Sequence, residues 1–318
     1  MIVSPMAIIK IIGFADTAIV NCQLSIVHLS YTETEVSFMF RDILLAVDYD
    51  RTLTGPDSVV PQRNREAIGW FTANGGSFTV NTGRGTNTLR RHLQDLQNNV
   101  PLLLYNGSMW YENGYLTNCK EIALPLWETV NAVAAAFPEM NVEIQGMEDH
   151  YLLDPQPEFI QLYGRMGWHY TLAQTGMDTG PFLKFAIYGT AHDGTLSDMF
   201  SGTPEEYARF AELQQFIESR WGAQVDIFLA APRILDVHAK GVSKGKAALE
   251  LKARLGKRIL VCVGDAENDI AMLDGADYAF CPADAVIAHR YENVCNCGDG
   301  AVADVIYKKI PEILKKKA

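Results

Sequence analysis

The chain has 318 residues, of which 48% are hydrophobic and 20% charged, and carries a formal net charge of -11. That length buries a sizeable core as one large domain or two moderate ones, and the composition excludes disordered and fibrous classes. The negative balance argues against nucleic acid or an anionic membrane as a partner, and no apolar stretch is long enough to span a bilayer.

Residues 1–38 are the odd part. Residues 7–12 are apolar, but Asp16 and Asn21 interrupt the run and Lys10 is its only early cation, which makes a poor signal peptide. Met39 stands immediately before the first convincing strand, so residues 1–38 are expected to lie outside the catalytic fold. From residue 40 the pattern becomes regular. Residues 43–47 form a continuous apolar run of strand length. Pro61 opens a helical stretch through Ala67, Ile68, Trp70 and Phe71, closed by Gly75 and Gly76. A second strand at 78–80, a helix through Leu89, Leu93 and Leu96, and a third strand at 101–105 continue a βαβ alternation.

Residues 116–235 have a different texture. A helix is predicted over 125–137, with strands at 141–145 and 182–188. Thr203-Pro-Glu-Glu206 is a capping box launching a helix that places Phe210, Leu213, Ile217 and Trp221 on one face. Two strands, 224–229 and 233–238, follow with a turn at 230–232. The α/β style then returns: a helix at 242–255, a strand at 258–263, a helix at 268–273, a strand at 278–281 and a last helix near 303–314. Lys308, Lys309 and Lys315 to Lys317 suit that helix's C-terminal end. The expected fold class is α/β: a Rossmann-like parallel-sheet core, residues 39–115 and 236–318, interrupted by an inserted α+β cap domain, residues 116–235. Cys262 lies inside an apolar run, and Cys295 and Cys297 form a C-x-C with no second pair to complete a metal site. The six cysteines form no disulfide scaffold, which points to a reducing, cytoplasmic setting.

Chemistry-bearing residues sit where strands end. Asp48 and Asp50, in Asp48-Tyr-Asp50-Arg-Thr52, close the first strand, and ligands of open α/β sheets bind at the carboxyl ends of strands. Thr82, in Asn81-Thr-Gly-Arg84, closes the second, where its hydroxyl and the Gly83 backbone can donate to a phosphoryl oxygen. Lys244, in Gly241-Val-Ser-Lys-Gly245, precedes a helix. The stretch is no Walker A loop, because Ala247 follows Lys246 where Ser or Thr is required. Gly264-Asp-Ala-Glu-Asn268-Asp269 crowds acids onto one turn, and charges that close repel unless a cation sits among them. Glu267 is expected to face solvent.

This set resembles the four motifs of the haloacid dehalogenase superfamily, and its details resemble the Cof-type branch. The carriers are Asp48-x-Asp50-x-Thr52, Thr82-Gly-Arg84, Asn106-Gly107 after the third strand, Gly241-Val-Ser-Lys244-Gly245 and Gly264-Asp265-x-x-Asn268-Asp269. The resemblance runs from about residue 40 to the C-terminus. It implies a phosphatase in which Asp48 is the nucleophile, Asp50 the acid/base, and Thr82, Gly83 and Lys244 the phosphate-binding groups. It further implies magnesium held by Asp48, Asp265 and the Asp50 backbone carbonyl, with Asn268 and Asp269 positioning the shell. The expected substrate is a small phosphorylated metabolite, such as a sugar phosphate. A phosphosugar mutase and a catalytically silent binding protein are the alternatives, though the motif acids a silent protein would lose are present. Arg84 and Asn106 are placed at the substrate mouth, and Arg165, His169 and Tyr170 are specificity candidates in the cap. Nothing in the pattern speaks to oligomeric state.

Overall fold

Strand β1, Ile43–Val47, is apolar and buried at every position, and so is β12, Ile259–Val263, which pairs with it in parallel. Strands buried on both faces are the mark of a parallel sheet covered by helices. The structure, a computed structural model, describes residues 39–89, 96–147, 149–189 and 201–317. The expected N-terminal extension and the stretch carrying Leu93 lie outside the described residues.

The core sheet has the order β14-β13-β12-β1-β2, with β2 at Ser77–Val80, β13 at Tyr278–Cys281 and β14 at Glu292–Asn293. Every pairing in it is parallel. Val47 lies opposite both Val80 and Val263, so three strands end at one level. Helix α1, Gln62–Ala73, follows Pro61 and buries Ala67, Ile68 and Phe71 against this sheet. The next helix, α2, is described over Thr86–Leu89. The expected third strand is the shorter β3, Leu102–Leu104. It touches the core sheet through a parallel bridge from Leu103 to Asn81 and pairs antiparallel with β4, Met109–Glu112, which in turn pairs with β5, Tyr115–Thr117.

The inserted module has a six-stranded sheet of order β10-β11-β9-β6-β7-β8. Its members are β6 Asn141–Gln145, β7 His150–Leu153, β8 Thr171–Leu172, β9 Lys184–Tyr188, β10 Val225–Ala231 and β11 Ile234–Ala239. One face carries Val142, Ile144, Phe185, Ile187, Leu235 and Val237. Helices α3, Leu126–Ala136, and α5, Pro204–Trp221, supply Val130, Val133, Phe210, Leu213 and Ile217 to the same core. The capping box forms as expected, Thr203 Oγ1 accepting from the Glu206 N–H. On the opposite face, α4, Pro157–Met166, packs Phe159, Leu162 and Tyr163 against Leu152, Ala186 and Tyr188. The β10–β11 hairpin turns at Pro232 and Arg233, later than expected, with an irregularity between Leu229 and Ala231. Strand β11 thus stays in the second sheet through Ala239, beyond the expected return to the core at residue 236.

After β11 the chain enters helix α6, Lys244–Arg254, crosses through β12 to the short helix α7, Ile270–Asp274, and ends in α8, Ala301–Asp304, a π turn at Val305–Lys309, and α9, Ile310–Lys317. Among the described residues no helix is long and apolar enough to cross a membrane. Helices α6 and α7 meet where Gly245 approaches the Ala271 carbonyl; a Cβ there would lie 2.2 Å from that oxygen. Gly245→Ala should therefore destabilise the fold by about 1–3 kcal/mol, as overpacking does, and lower the thermal midpoint. An unchanged midpoint would mean that α6 and α7 do not pack this closely.

Candidate active site

The level ending of β12, β1 and β2 decides what meets what. Asp48 directly follows Val47, Asn81 and Thr82 follow Val80, and Asp265 follows Val263 after one glycine. A Cβ on Gly264 would lie 2.6 Å from the Asp269 side chain, so this glycine lets the turn fold Asp269 back beneath it. Ser243 caps helix α6 and leaves Lys244 at its first turn, pointing into the same space.

The Lys244 ammonium lies 2.5 Å from Asp48 Oδ1 and 2.7 Å from Asp269 Oδ1, with all three side chains buried. Asp269 Oδ2 accepts from the backbone N–H groups of Asp265 and Ala266, at 3.0 and 3.1 Å. Thr52 Oγ1 donates to Asp265 Oδ1 at 3.1 Å, and the Asn81 amide donates to the Lys244 carbonyl at 2.8 Å. Carboxylate oxygens of Asp48, Asp265 and Asp269 come within 4.8 Å of one another. One ammonium cannot balance three buried carboxylates. Burial, opposed by Lys244 and reinforced by Asp269 and Asp265, holds the Asp48 carboxyl well above its usual range. Burial and Asp269 push Asp265 up to about 7. The arrangement fits a hard divalent cation, whose preferred ligands are carboxylate and carbonyl oxygens. Asp48 and Asp265 have an oxygen to spare for it, whereas both oxygens of Asp269 are engaged. Asn268 is half-buried on the same turn and Glu267 is exposed, as expected.

Beyond Asp48 the chain makes a π turn, Tyr49–Leu53, closed by bonds from Leu53 N–H to the Asp48 carbonyl and from Thr54 N–H to the Tyr49 carbonyl. It lifts Asp50 to the rim, where its side chain is 44% exposed. Arg84 grips that carboxylate with two bonds, Nε to Oδ2 at 2.7 Å and Nη2 to Oδ1 at 2.6 Å. Thr82 is buried, its Oγ1 accepting from the Arg84 N–H at 3.1 Å, which leaves the hydroxyl proton available to an oxygen in the site.

The second sheet contributes its polar face. Across β6, β9 and β11 the register aligns Glu143, Ala186 and Asp236 in one row and Gln145, Lys184 and His238 in the next. Lys184 pairs with Asp236 at 2.7 Å and reaches the Gly83 carbonyl at 3.4 Å. Asn106 and Ser108 flank His238, with Asn106 Nδ2 3.0 Å from its Nε2 and Ser108 Oγ 3.1 Å from its Nδ1. Deeper in the module Glu143 is held by His150, Tyr163 and Gln145, whose combined effect outweighs burial and brings its carboxyl down to about 2. Of the expected cap candidates, Arg165 and His169 are exposed, His169 pairing with Asp149 at 2.8 Å, and Tyr170 packs edge-on against Tyr163.

The motif reading thus brings Asp48, Lys244, Asp265 and Asp269 into one cluster, with Asp50, Thr82, Gly83 and Arg84 at its rim. It misses Asn81 as a support for Lys244, and it misses Lys184, Asp236 and His238 altogether. A signal was present for two of these: Asp236 and His238 alternate with the apolar Leu235, Val237 and Ala239 along one strand.

A family model described as haloacid dehalogenase-like hydrolase matches residues 45–287. A 5-amino-6-(5-phospho-D-ribitylamino)uracil phosphatase, YwtE, of Bacillus subtilis is 23% identical over 256 residues, covering 76% of this chain and 88% of that one. A haloacid dehalogenase-like hydrolase from Bacteroides thetaiotaomicron superposes with a TM-score of 0.68 at 17% identity, over 84% of this chain and 98% of that one. The subclass IIB sugar phosphatase BT4131 gives 0.68 at 17% identity, over 85% and 99% of the two chains. With the family model spanning most of its length, the chain belongs to the haloacid dehalogenase-like hydrolases, in the Cof-type branch that its motifs resemble.

Proposed function

We propose that this enzyme hydrolyses a small phosphorylated metabolite through a phosphoryl group carried on Asp48. The observation that carries the reading is the buried Lys244 ammonium bonded to both Asp48 and Asp269 at the level ending of three parallel strands. In this reading an oxygen of Asp48 attacks phosphorus in line, the bond to the leaving oxygen breaks, and Asp50 supplies that oxygen with a proton. Water then attacks the aspartyl phosphate, gives a proton to Asp50, and frees inorganic phosphate and Asp48. Lys244, the Thr82 hydroxyl and the Gly83 backbone hold the phosphoryl oxygens. Arg84 keeps Asp50 at the rim and must yield part of its grip for that carboxyl to reach the leaving oxygen.

Asp48, Asp265 and the Asp50 backbone carbonyl would hold magnesium, with Asn268 and Asp269 around them. Bound there, the ion would shield the nucleophile from the anionic substrate. Residues 116 to about 239 serve as the cap in this account, their polar sheet face turned to the site and the chain returning to the core after β11. A cleft lined by Tyr49, Arg84, Met166 and Trp168 opens between core and module, next to the Arg84 that holds Asp50. The name of the Bacillus relative and that of the sugar phosphatase both support a hydroxyl-bearing phosphate ester as substrate.

Phosphate release from a panel of sugar, polyol and aryl phosphates should require magnesium. Asp48→Asn should lower it by at least ~10³-fold while the protein stays folded. Substantial release by that variant would remove Asp48 from its role, and isomerised sugar phosphate without free phosphate would move the reading to a mutase.

The charge surplus gives a second test. Folded Asp265 keeps a proton to about pH 7 that an unfolded aspartate surrenders near pH ~4. Its contribution to stability is therefore full below about pH 4 and is lost as pH rises through about 7 in metal-free protein. Magnesium takes the place of that proton, so the rise in thermal midpoint on adding it should be larger at pH 8 than at pH 5. An equal or smaller rise at pH 8 would contradict the assignment of Asp265 as a ligand.

A further inference from the structure

Asn106 and His238 meet across the seam between core and inserted module. Asn106 is 2% exposed and sits in three consecutive left-handed residues, Tyr105, Asn106 and Gly107, at φ of 50°, 54° and 95°. That backbone, costly for the first two residues, turns the Asn106 side chain inward and sets Ser108 two residues on, so that both face the His238 ring. His238 is fully buried at the end of β11. Asp236 Oδ2 lies 4.0 Å from its Nε2, but that carboxylate is bonded to Lys184, and the Phe228 ring meets the imidazole edge-on with centroids 5.7 Å apart.

An amide nitrogen can only donate. The Asn106 Nδ2 group therefore donates to His238 Nε2, which must be bare, and the ring proton sits on Nδ1, where it donates to Ser108 Oγ. A neutral ring agrees with its surroundings, since burial and the Lys184 charge both oppose protonation. Fixing the amide nitrogen fixes the other end of the group. Asn106 Oδ1 is buried, has no donor among the described residues, and lies 3.1 Å from where a Cβ on Gly83 would stand. Leaving a buried acceptor unmet is unfavourable, so an arrangement that aims one at the phosphate-binding loop suits a donor brought by a ligand.

We propose that His238 is a positioning residue: it locks the Asn106 amide with the carbonyl facing the Gly83 loop, where it accepts from a hydroxyl or amino group on the substrate's leaving group. The assignment rests on the reading that phosphate binds at Thr82, Gly83 and Lys244.

The test uses His238→Phe, Asn106→Ala and the double variant of the magnesium-loaded enzyme. The substrates are phenyl phosphate, whose leaving group bears no donor, and whichever of glucose 6-phosphate, ribitol 5-phosphate and glycerol 1-phosphate is turned over fastest. Each single substitution should raise KM for the hydroxylated ester about 10-fold more than it raises KM for phenyl phosphate, with little change in the ratio of the two kcat values. The double variant should be no worse than Asn106→Ala, because His238 acts through Asn106. Equal losses on both substrates, additive losses, or turnover of phenyl phosphate with none of the three hydroxylated esters would overturn the proposal. Wild-type enzyme inactive on all four would refute the phosphatase reading instead. The proposal is then decided by the ring-nitrogen NMR shifts of His238 in 15N-labelled protein, assigned by comparison with His238→Gln. A bare Nε2 and protonated Nδ1 at neutral pH are expected; a protonated Nε2, which would require the amide reversed, overturns it.

Discussion

The buried ammonium of Lys244 is the contact on which the rest of the site depends. An ammonium removed from water costs several kcal/mol unless it is paired and hydrogen-bonded, and here Asp48 and Asp269 supply both. Those partners come from strands β1 and β12, so the pair exists only if the parallel register sets the two strand ends level. It needs helix α6 to begin at Lys244, which the Ser243 cap fixes, and it needs Gly245 and Gly264 to let backbone and side chains approach. Even then the balance stays negative, and that residual charge suits the cluster to a cation better than a closed structural ion pair would.

The second buried acid cluster makes the contrast plain. Glu143 is as deeply buried as Asp48, yet its carboxyl is brought down to about 2 because Tyr163, Gln145 and His150 meet it. Burial pushes Asp48 and Asp265 up, and Lys244 does not reverse it against the added repulsion of neighbouring acids. Burial is common to both, and satisfaction by donors separates them. Glu143 is met by donors within its own module. The Asp48 cluster keeps an excess of negative charge that one ammonium does not balance, the kind of perturbed arrangement that marks functional sites.

The core could be read from the sequence because its signals are local. An apolar run of strand length ending in Asp48-Tyr-Asp50, another ending in Gly264-Asp265, and a lysine at a helix start each follow from the physics of a parallel sheet. Element limits slipped where tertiary pairing overrode local pattern. The π turn after Asp48 has no periodicity to announce it, and β10 runs two residues further because β11 offers it partners there. The cap candidates were chosen by residue type, and type alone cannot tell an exposed His169 from a buried His238. Alternation could have done so: Lys184, Ala186 and Tyr188, or Asp236 and His238, occupy one face of strands whose other face is Phe185, Ile187 and Val237. What no local pattern supplies is the meeting of that face with Asn106, Ser108 and Gly83, more than a hundred residues away in the chain for His238 and Lys184 alike.

The central claim is that phosphate passes through a covalent bond to Asp48. Quenching the enzyme in acid during turnover, reducing it with borohydride and mapping the peptides by mass spectrometry tests this directly, because an acyl phosphate is reduced where a free carboxylate is not. The account predicts reduction at Asp48 alone, dependent on substrate. Reduction at another carboxylate, or steady turnover with none at Asp48, would contradict it.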